Sequence, residues 1–387
     1  MGKLNKREGH GKSEGVMKMK KWKRLLKTGL VLTLTLTIAC LSLPATLHQV
    51  KAAEEVESFA FPWGVAYEPA TGYIYVADSI RNCIIRTKID GSEWKTLGTE
   101  GTGRNQFRGP TGICVDSSGY IYVSDAGNSR IVKTRIEGSY WSTLGGVRGM
   151  GERQFAHPRE ITIDETSGYL YIADGGNNRI VKTKMDGSGW TTYGKQGNGQ
   201  GQFYLPTGIA YDSSTGYIYV ADAGNSRVVR TKIDGTGWAS LGSFGGGKLQ
   251  FRHPRGIICE PGGLLLVTDT GGRRLVKTNI EGSIWETFGN PGYGEGEFSA
   301  PRSSAGEISG ELYVADSFNH RIVKTRLDGS GWAALSAKYC PDFGISHIEP
   351  PAGAPGDHVK IYGTGFGSEK GDAKVLFNGV EASTSSW

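Results

Sequence analysis

Three arginines, a tryptophan, a glutamate and two histidines stand out from a sequence that otherwise repeats itself. Trp63, Arg159, Arg255 and Arg302 each follow one of six regularly spaced prolines, at positions held in the other copies by Thr111 and Thr207. Glu160 comes next in the third copy, where most copies have glycine, and His157 and His253 precede their prolines. Guanidinium groups present planar donors to oxyanions and stack on aromatic rings, so this set at one mouth would receive an anionic or aromatic ligand. The competing reading is of solvated loop residues that drift between copies without a common role. Catalytic chemistry finds less support. There is no serine nucleophile elbow and no carboxylate pair outside the repeat, so no catalytic residue, metal or cofactor is assigned. His157, His253 and His320 offer imidazoles of the kind that bind zinc, but from three separate loops.

The elements that must position these residues are set by the repeat. Pro62, Pro110, Pro158, Pro206, Pro254 and Pro301, and the turn aspartates Asp78, Asp125, Asp174, Asp222, Asp269 and Asp316, recur at steps of 47 to 49 residues. Each unit holds short alternating segments and turn residues, without helical periodicity, which is the pattern of blades packed radially. In the copy from Pro206, strands are expected at 209–212, 217–221, 227–233 and 238–241, with Asp234-Gly235 as a hairpin turn. The sequence therefore predicts an all-β fold, a six-bladed β-propeller, with the residues after the prolines at one mouth of its channel. All six copies carry four strands, so closure rests on packing of blade six against blade one, expected to be the weakest interface.

Residues shared by every copy are assigned to folding. Asp and Asn satisfy turn amides and Arg pairs with the carboxylate. Trp94, Trp141, Trp190, Trp238, Trp285 and Trp332 are expected to pack between blades rather than stack on sugars. Glu68, Asp116, Asp164, Asp212, Glu260 and Glu307 read as turn chemistry, and Cys83, Cys114, Cys259 and Cys340 as buried thiols. The loops at 197–201 and 292–296 are glycine-rich like phosphate cradles, but each leads into a strand rather than a helix N-terminus.

Gly127-Asn-Ser-Arg-Ile131, Gly176-Asn-Asn-Arg-Ile180 and Phe318-Asn-His-Arg-Ile322 resemble the core of the NHL repeat, and the Asp-Gly-Ser segments resemble YWTD propellers. The resemblance spans residues 53–336 and implies a six-bladed ring. It implies no single activity, because such rings serve as binding platforms, sensors and lyases. At the C-terminus, Val359-Lys-Ile361, Gly363-Thr-Gly-Phe-Gly367 and Val375-Leu-Phe-Asn-Gly379 resemble an IPT/TIG domain. That implies a partial immunoglobulin-like β-sandwich over 345–387, after a linker at 337–344.

Residues 1–52 read as a signal peptide. Lys18 to Lys27 supply a basic stretch, Thr28 to Leu43 an apolar run of 16 residues, and Val50-Lys-Ala52 a cleavage site. Lipidation at Cys40 or an uncleaved leader would instead attach the chain to a membrane. The remaining chain has 33 basic and 36 acidic residues, which argues against a nucleic-acid partner. The expectation is a secreted or cell-surface binding protein whose loop face takes an extracellular protein, peptide or glycan. The alternative is an enzyme of the lyase or calcium-dependent lactonase type, with its site at the channel mouth.

Overall fold

Residues 58–336 of the computed structural model are described in full, and with them the backbone of the strands Gly15–Lys18, Gly344–Glu349, His358–Thr364, Leu376–Phe377, Val380–Glu381 and Thr384–Ser386. Six four-stranded antiparallel sheets follow one another along the chain. Their innermost strands are Pro62–Glu68, Pro110–Val115, Pro158–Asp164, Pro206–Asp212, Pro254–Glu260 and Pro301–Gly306. Every sheet keeps the same meander, from the inner strand outward. A second unit comprises residues 1–56 and 338–387. In it Gly15–Lys18 pairs with His358–Thr364 and Thr384–Ser386, and Gly344–Glu349 with His358–Thr364. The expected leader's apolar run, its cleavage site, Cys40 and Cys340 lie outside the described residues.

Blades are held together by alternation of small and large apolar side chains on both faces. Phe107, Phe155, Phe203, Phe251 and Phe298 are fully buried, and each packs on the tryptophan of its own blade with ring centroids 5.2–5.9 Å apart. Phe59 and Trp94 do the same in blade one, at 5.1 Å. The six tryptophans are thus used in packing, as expected from the repeat.

Each blade turns on a fully buried aspartate. In blade three, Asp174 accepts hydrogen bonds from the Ala156 amide (2.7 Å), Asn177 Nδ2 (2.7 Å) and Arg179 Nε (2.9 Å). The remaining nitrogens of Arg179 bond to the carbonyls of Met150 and Gln154 in the loop before the blade. Asp125, Asp222, Asp269 and Asp316 make the same clamp with Arg130, Arg227, Arg274 and Arg321. The glycine-rich loops are thereby explained. Arg227 draws in the carbonyls of Asn198 and Gln202, so the loop presents acceptors to arginine rather than amides to phosphate. Blade one has Cys83 in place of arginine, and there the Arg81 amide bonds to Asp78 at 3.1 Å.

The seam differs from the expectation that it is the weakest junction. Ser317 Oγ of blade six donates to the Pro62 carbonyl at 2.5 Å, as Ser79 does to Pro110 (2.5 Å) and Thr270 to Pro301 (2.6 Å). Tyr67 stacks on Tyr313 at 4.4 Å, and Val65, Ile74 and Val76 form one core with Ala315 and Ile322. Closure uses the same bond from the turn hydroxyl as the first and fifth junctions, and no strand is exchanged between blades six and one.

Asp174→Ala leaves the Arg179 charge buried without its carboxylate. Urea denaturation of the ring should show a loss of about 3–5 kcal/mol, as for other broken buried pairs. Asp186→Ala, in an exposed outer turn of the same blade, should cost under about 1 kcal/mol.

Candidate functional site

The inner strands do not begin as the alternation predicts. In blade four the strand starts at Pro206 rather than Ile209. Pro206 pairs with Asp222, and the register then shifts so that Gly208 pairs with Ala221. Thr207 is the extra residue of a bulge, and Trp63, Arg255 and Arg302 occupy the same irregular position in blades one, five and six. In blades two and three the irregular stretch covers two residues, so that both Arg159 and Glu160 leave the ladder. A bulge re-aims side chains that a regular strand would send into the blade.

The result is a convergence on Trp63. The guanidinium carbons of Arg302, Arg159 and Arg255 lie 4.0, 5.2 and 5.4 Å from its ring centroid. Arg302 also lies 4.8 Å from the Phe61 ring and 5.8 Å from Phe318, which is 55% exposed. Four of the predicted residues, Trp63, Arg159, Arg255 and Arg302, therefore come together from blades one, three, five and six, and Glu160 is not among those gathered on the indole.

Charge at this mouth is uncompensated. Burial, with the like charges of Arg255 and Arg159 second, brings the Arg302 guanidinium down to about 9. Burial and Arg255 bring Arg159 down to about 10, and burial lowers Arg255. All three remain cationic at neutral pH. No carboxylate pairs with any of them among the described residues, and the Nε–H groups of Arg255 and Arg302 are buried without an acceptor. Cation–π contact with Trp63 is a partial substitute, worth about 2 kcal/mol at best for a desolvated pair.

Blade three has been altered to make room. In blades one, two, four and five a Cβ at Gly64, Gly112, Gly208 or Gly256 would come within 2.1–2.9 Å of a carbonyl of the next inner strand. Blade three carries Glu160 there. Gly175 opens its turn, and a Cβ at Gly175 would meet Arg159 Cγ at 2.9 Å. Thr111 and Thr207 donate to the carbonyls of Pro158 and Pro254 in the following blades. Neither Arg159 nor Gly175 has a hydroxyl for Pro206, so this junction lacks the bond that the five others have.

The Glu160 carboxyl lies inside the channel, with Oε1 buried and without a hydrogen-bond partner. Burial pushes it up to about 8, while the Ser303 hydroxyl of blade six acts in the lowering direction. Blade six is opposite blade three in a ring of six, so the two side chains meet across the channel.

His157 and His253 are set apart from this group. Both take the left-handed backbone conformation before proline, shared with Gly109 and Leu205, so the position is set by the turn. His157 borders a groove of about 330 Å³ with Asn128, Arg130 and Arg148, and burial followed by Arg148 and Arg159 lowers its pKa. The His253 ring lies 6.2 Å from Phe244. His157, His253 and His320 are not brought together, and among the described residues no three His, Cys, Asp or Glu side chains form a metal-binding group.

Residues 107–133 and 203–230 match the NHL repeat, and residues 344–387 match the IPT/TIG domain. The ring carries NHL repeats. Among curated proteins none matches the chain in sequence. Among solved structures the NHL ring is similar to a streptogramin B lyase, with 16% identity and a TM-score of 0.52 over 79% of this chain and 95% of that one. Virginiamycin B lyase from Staphylococcus aureus gives 15% and 0.50 over 79% and 95%. A gluconolactonase from Xanthomonas campestris gives 14% and 0.51 over 68% and 85%. At these identities the likeness is one of fold.

The buried Glu160 carboxyl makes the NHL ring's stability depend on pH. Its folded pKa lies above the ordinary carboxyl value of 4.5, so the folded ring keeps a proton that the unfolded chain has released. The associated stability is complete below that value and is lost as pH rises through about 8. Glu160→Gln should therefore raise the melting temperature at pH 8, by a gain on the order of 1–3 kcal/mol, and change little at pH 4. Equal melting of the two proteins at pH 8 would place the carboxyl in solvent.

Proposed function

We propose that the ring is a binding module, which takes up an anionic group of an extracellular protein, peptide or glycan at its channel mouth. The observation that carries this reading is the convergence of Arg159, Arg255 and Arg302 on Trp63 without a carboxylate partner. Three half-buried cations, two of them with a buried Nε–H that has no acceptor, are costly in an empty site, and an arriving oxyanion supplies both the missing charge and the missing acceptors. Phe61 and the exposed Phe318 extend the mouth with apolar surface on one side, suited to the body of the same partner.

An extracellular location agrees with the signal-like composition of residues 1–52, and the near balance of charge in the rest of the chain suits a partner that brings a local anion rather than a polyanionic strand.

Surface plasmon resonance with a glutamate-rich peptide and with a uronate-containing polysaccharide, each over immobilised protein, tests the reading. Replacement of Arg159, Arg255 and Arg302 together by alanine should weaken capture at least about 100-fold, since each charge-assisted hydrogen bond contributes about 1.5–3 kcal/mol. Capture unchanged in the triple variant would remove the mouth as the binding site.

A further inference from the structure

The loop that leads from blade two into blade three departs from the four others of its kind, and the departures gather around one groove. Each loop begins at a glycine packed on the buried phenylalanine of the following blade and soon reaches a residue bridged to that phenylalanine. Gly98 leads to Glu100, Gly194 to Gln196, Gly242 to Phe244 and Gly289 to Pro291, two positions on in every case. From Gly145 the bridged residue is Arg148, three positions on, so this loop carries one inserted residue. Gly146 has φ +105°, with nothing within 4 Å of a Cβ placed on it. Arg148 is the one cation among the five bridged residues, and it is exposed.

The turn of blade two differs as well. The residue that ends this turn in the left-handed conformation is asparagine in blades one and three, where its Oδ1 accepts an amide of the next blade. Asn82 accepts from Gly109 at 2.7 Å, and Asn178 from Leu205 at 2.8 Å. Blade two has Ser129, whose shorter side chain leaves the corresponding His157 amide without that acceptor. The groove of about 330 Å³ lies between these two residues, with Thr102, Gly146 and Arg148 along it. Blade four also has serine, Ser226, but Phe244 is its bridged residue and the ring lies 6.2 Å from His253.

Some polar groups on the wall are already spent. Arg130 bonds to Asp125 and to the carbonyls of Thr102 and Gln106, and Asn128 Nδ2 to the Gly101 carbonyl and Asp125. What remains is the Arg148 guanidinium, the hydroxyls of Ser129 and Thr102, the His157 amide and its ring. Burial, followed by Arg148 and Arg159, holds that ring below its ordinary pKa, so it stays neutral at pH 7.5. No carboxylate is among the residues that line the groove. Donors from a loop, a turn and the backbone suit a group with several oxygens. The volume lies near the lower end of small-ligand pockets, about 300–1,000 Å³, which leaves room for a small body attached to that group. We propose that this groove is a second oxyanion site, which takes a sulfate or phosphate monoester of a single sugar unit, with Arg148 as counter-charge and Ser129 and the His157 amide as donors. It goes beyond the binding reading above, since it uses none of Arg159, Arg255 and Arg302.

Isothermal titration of the full chain at pH 7.5 with glucose 6-sulfate and with glucose 6-phosphate tests this, with glucose as control. The tighter ester identifies the source of the oxyanion. Two substitutions borrow residues that the ring already accepts at the same place. Arg148→Gln copies blade three and should weaken binding at least about 10-fold, through loss of a charge-assisted hydrogen bond. Ser129→Asn copies blades one and three, suits the left-handed conformation and gives the His157 amide its acceptor, so binding should fall by a similar factor while the melting temperature holds. Both are also read on the Arg159, Arg255 and Arg302 triple alanine variant, so that ester held at the mouth does not mask the result. That triple variant should keep one ester site per chain. Loss of all ester binding in the triple variant overturns the groove site and assigns the ester to the mouth. Binding unchanged in Arg148→Gln and Ser129→Asn overturns it too. Glucose bound as tightly as its esters overturns the oxyanion reading. Absence of ester binding by the folded wild type also sinks the groove, and leaves the mouth to be judged by capture of the peptide and polysaccharide.

Discussion

A buried carboxylate at the turn of every blade is the interaction on which the ring depends. Burial alone pushes Asp125, Asp174, Asp222 and Asp269 toward the neutral form, and it is opposed by backbone amides, in the first three by an asparagine and, most distinctively, by an arginine that also gathers the carbonyls of the preceding loop. One charged pair thus fixes three things at once: the turn between the second and third strands, the start of the inner strand, and the path of the loop that joins consecutive blades. Because the loop carbonyls belong to the chain between two blades, the clamp sets the spacing of the ring as well as the shape of each sheet. Removal of either partner in blades two to six leaves an unpaired charge where water does not reach, whereas blade one, with Cys83 in place of the arginine, satisfies Asp78 by the amides of Ala60, Phe61 and Arg81.

That rigidity creates room for exceptions elsewhere. Each junction between blades is closed by apolar packing on both sheet faces and, in five cases, by a hydroxyl donated to the carbonyl of the next blade's proline. The third junction forgoes this bond. Thr gives way to Arg159, Ala or Ser to Gly175, and Gly to Glu160, three changes concentrated in the one blade that supplies both a cation and a carboxyl to the channel. The loss of a single hydrogen bond, about 1 kcal/mol net, is small against the packing that remains. The neighbouring interfaces carry the geometry while blade three departs from it.

At the mouth the same low-dielectric surroundings that strengthen the turn clamps act in the opposite sense. Guanidinium groups drawn together around an indole, without a carboxylate, raise the free energy of the ring, a cost that a bound oxyanion would offset. The face of Trp63, and for Arg302 also that of Phe61, holds the arginines through cation–π contact without consuming their N–H donors.

Much of this was legible in the sequence. The repeat length, the punctuation by proline and Asp-Gly, and the lack of helical periodicity determined a ring of six four-stranded blades, because a unit of that size buries its faces only against copies of itself. The repeated Asp, Asn, Arg and Trp could be set aside as structural on the same ground, and the deviating residues after the prolines identified as the candidates. What the sequence did not contain is the register shift at the start of each inner strand. A bulge is a property of two paired strands, and only their pairing turns Arg159, Arg255 and Arg302 from strand residues into a cluster on Trp63 while leaving His157 and His253 in the turns that precede the inner strands. The meeting of Glu160 with Ser303 belongs to the same class, since blades three and six are neighbours only across the closed circle, and the strength of burial that keeps a carboxyl protonated is set by everything that surrounds the channel rather than by any residue adjacent in the chain.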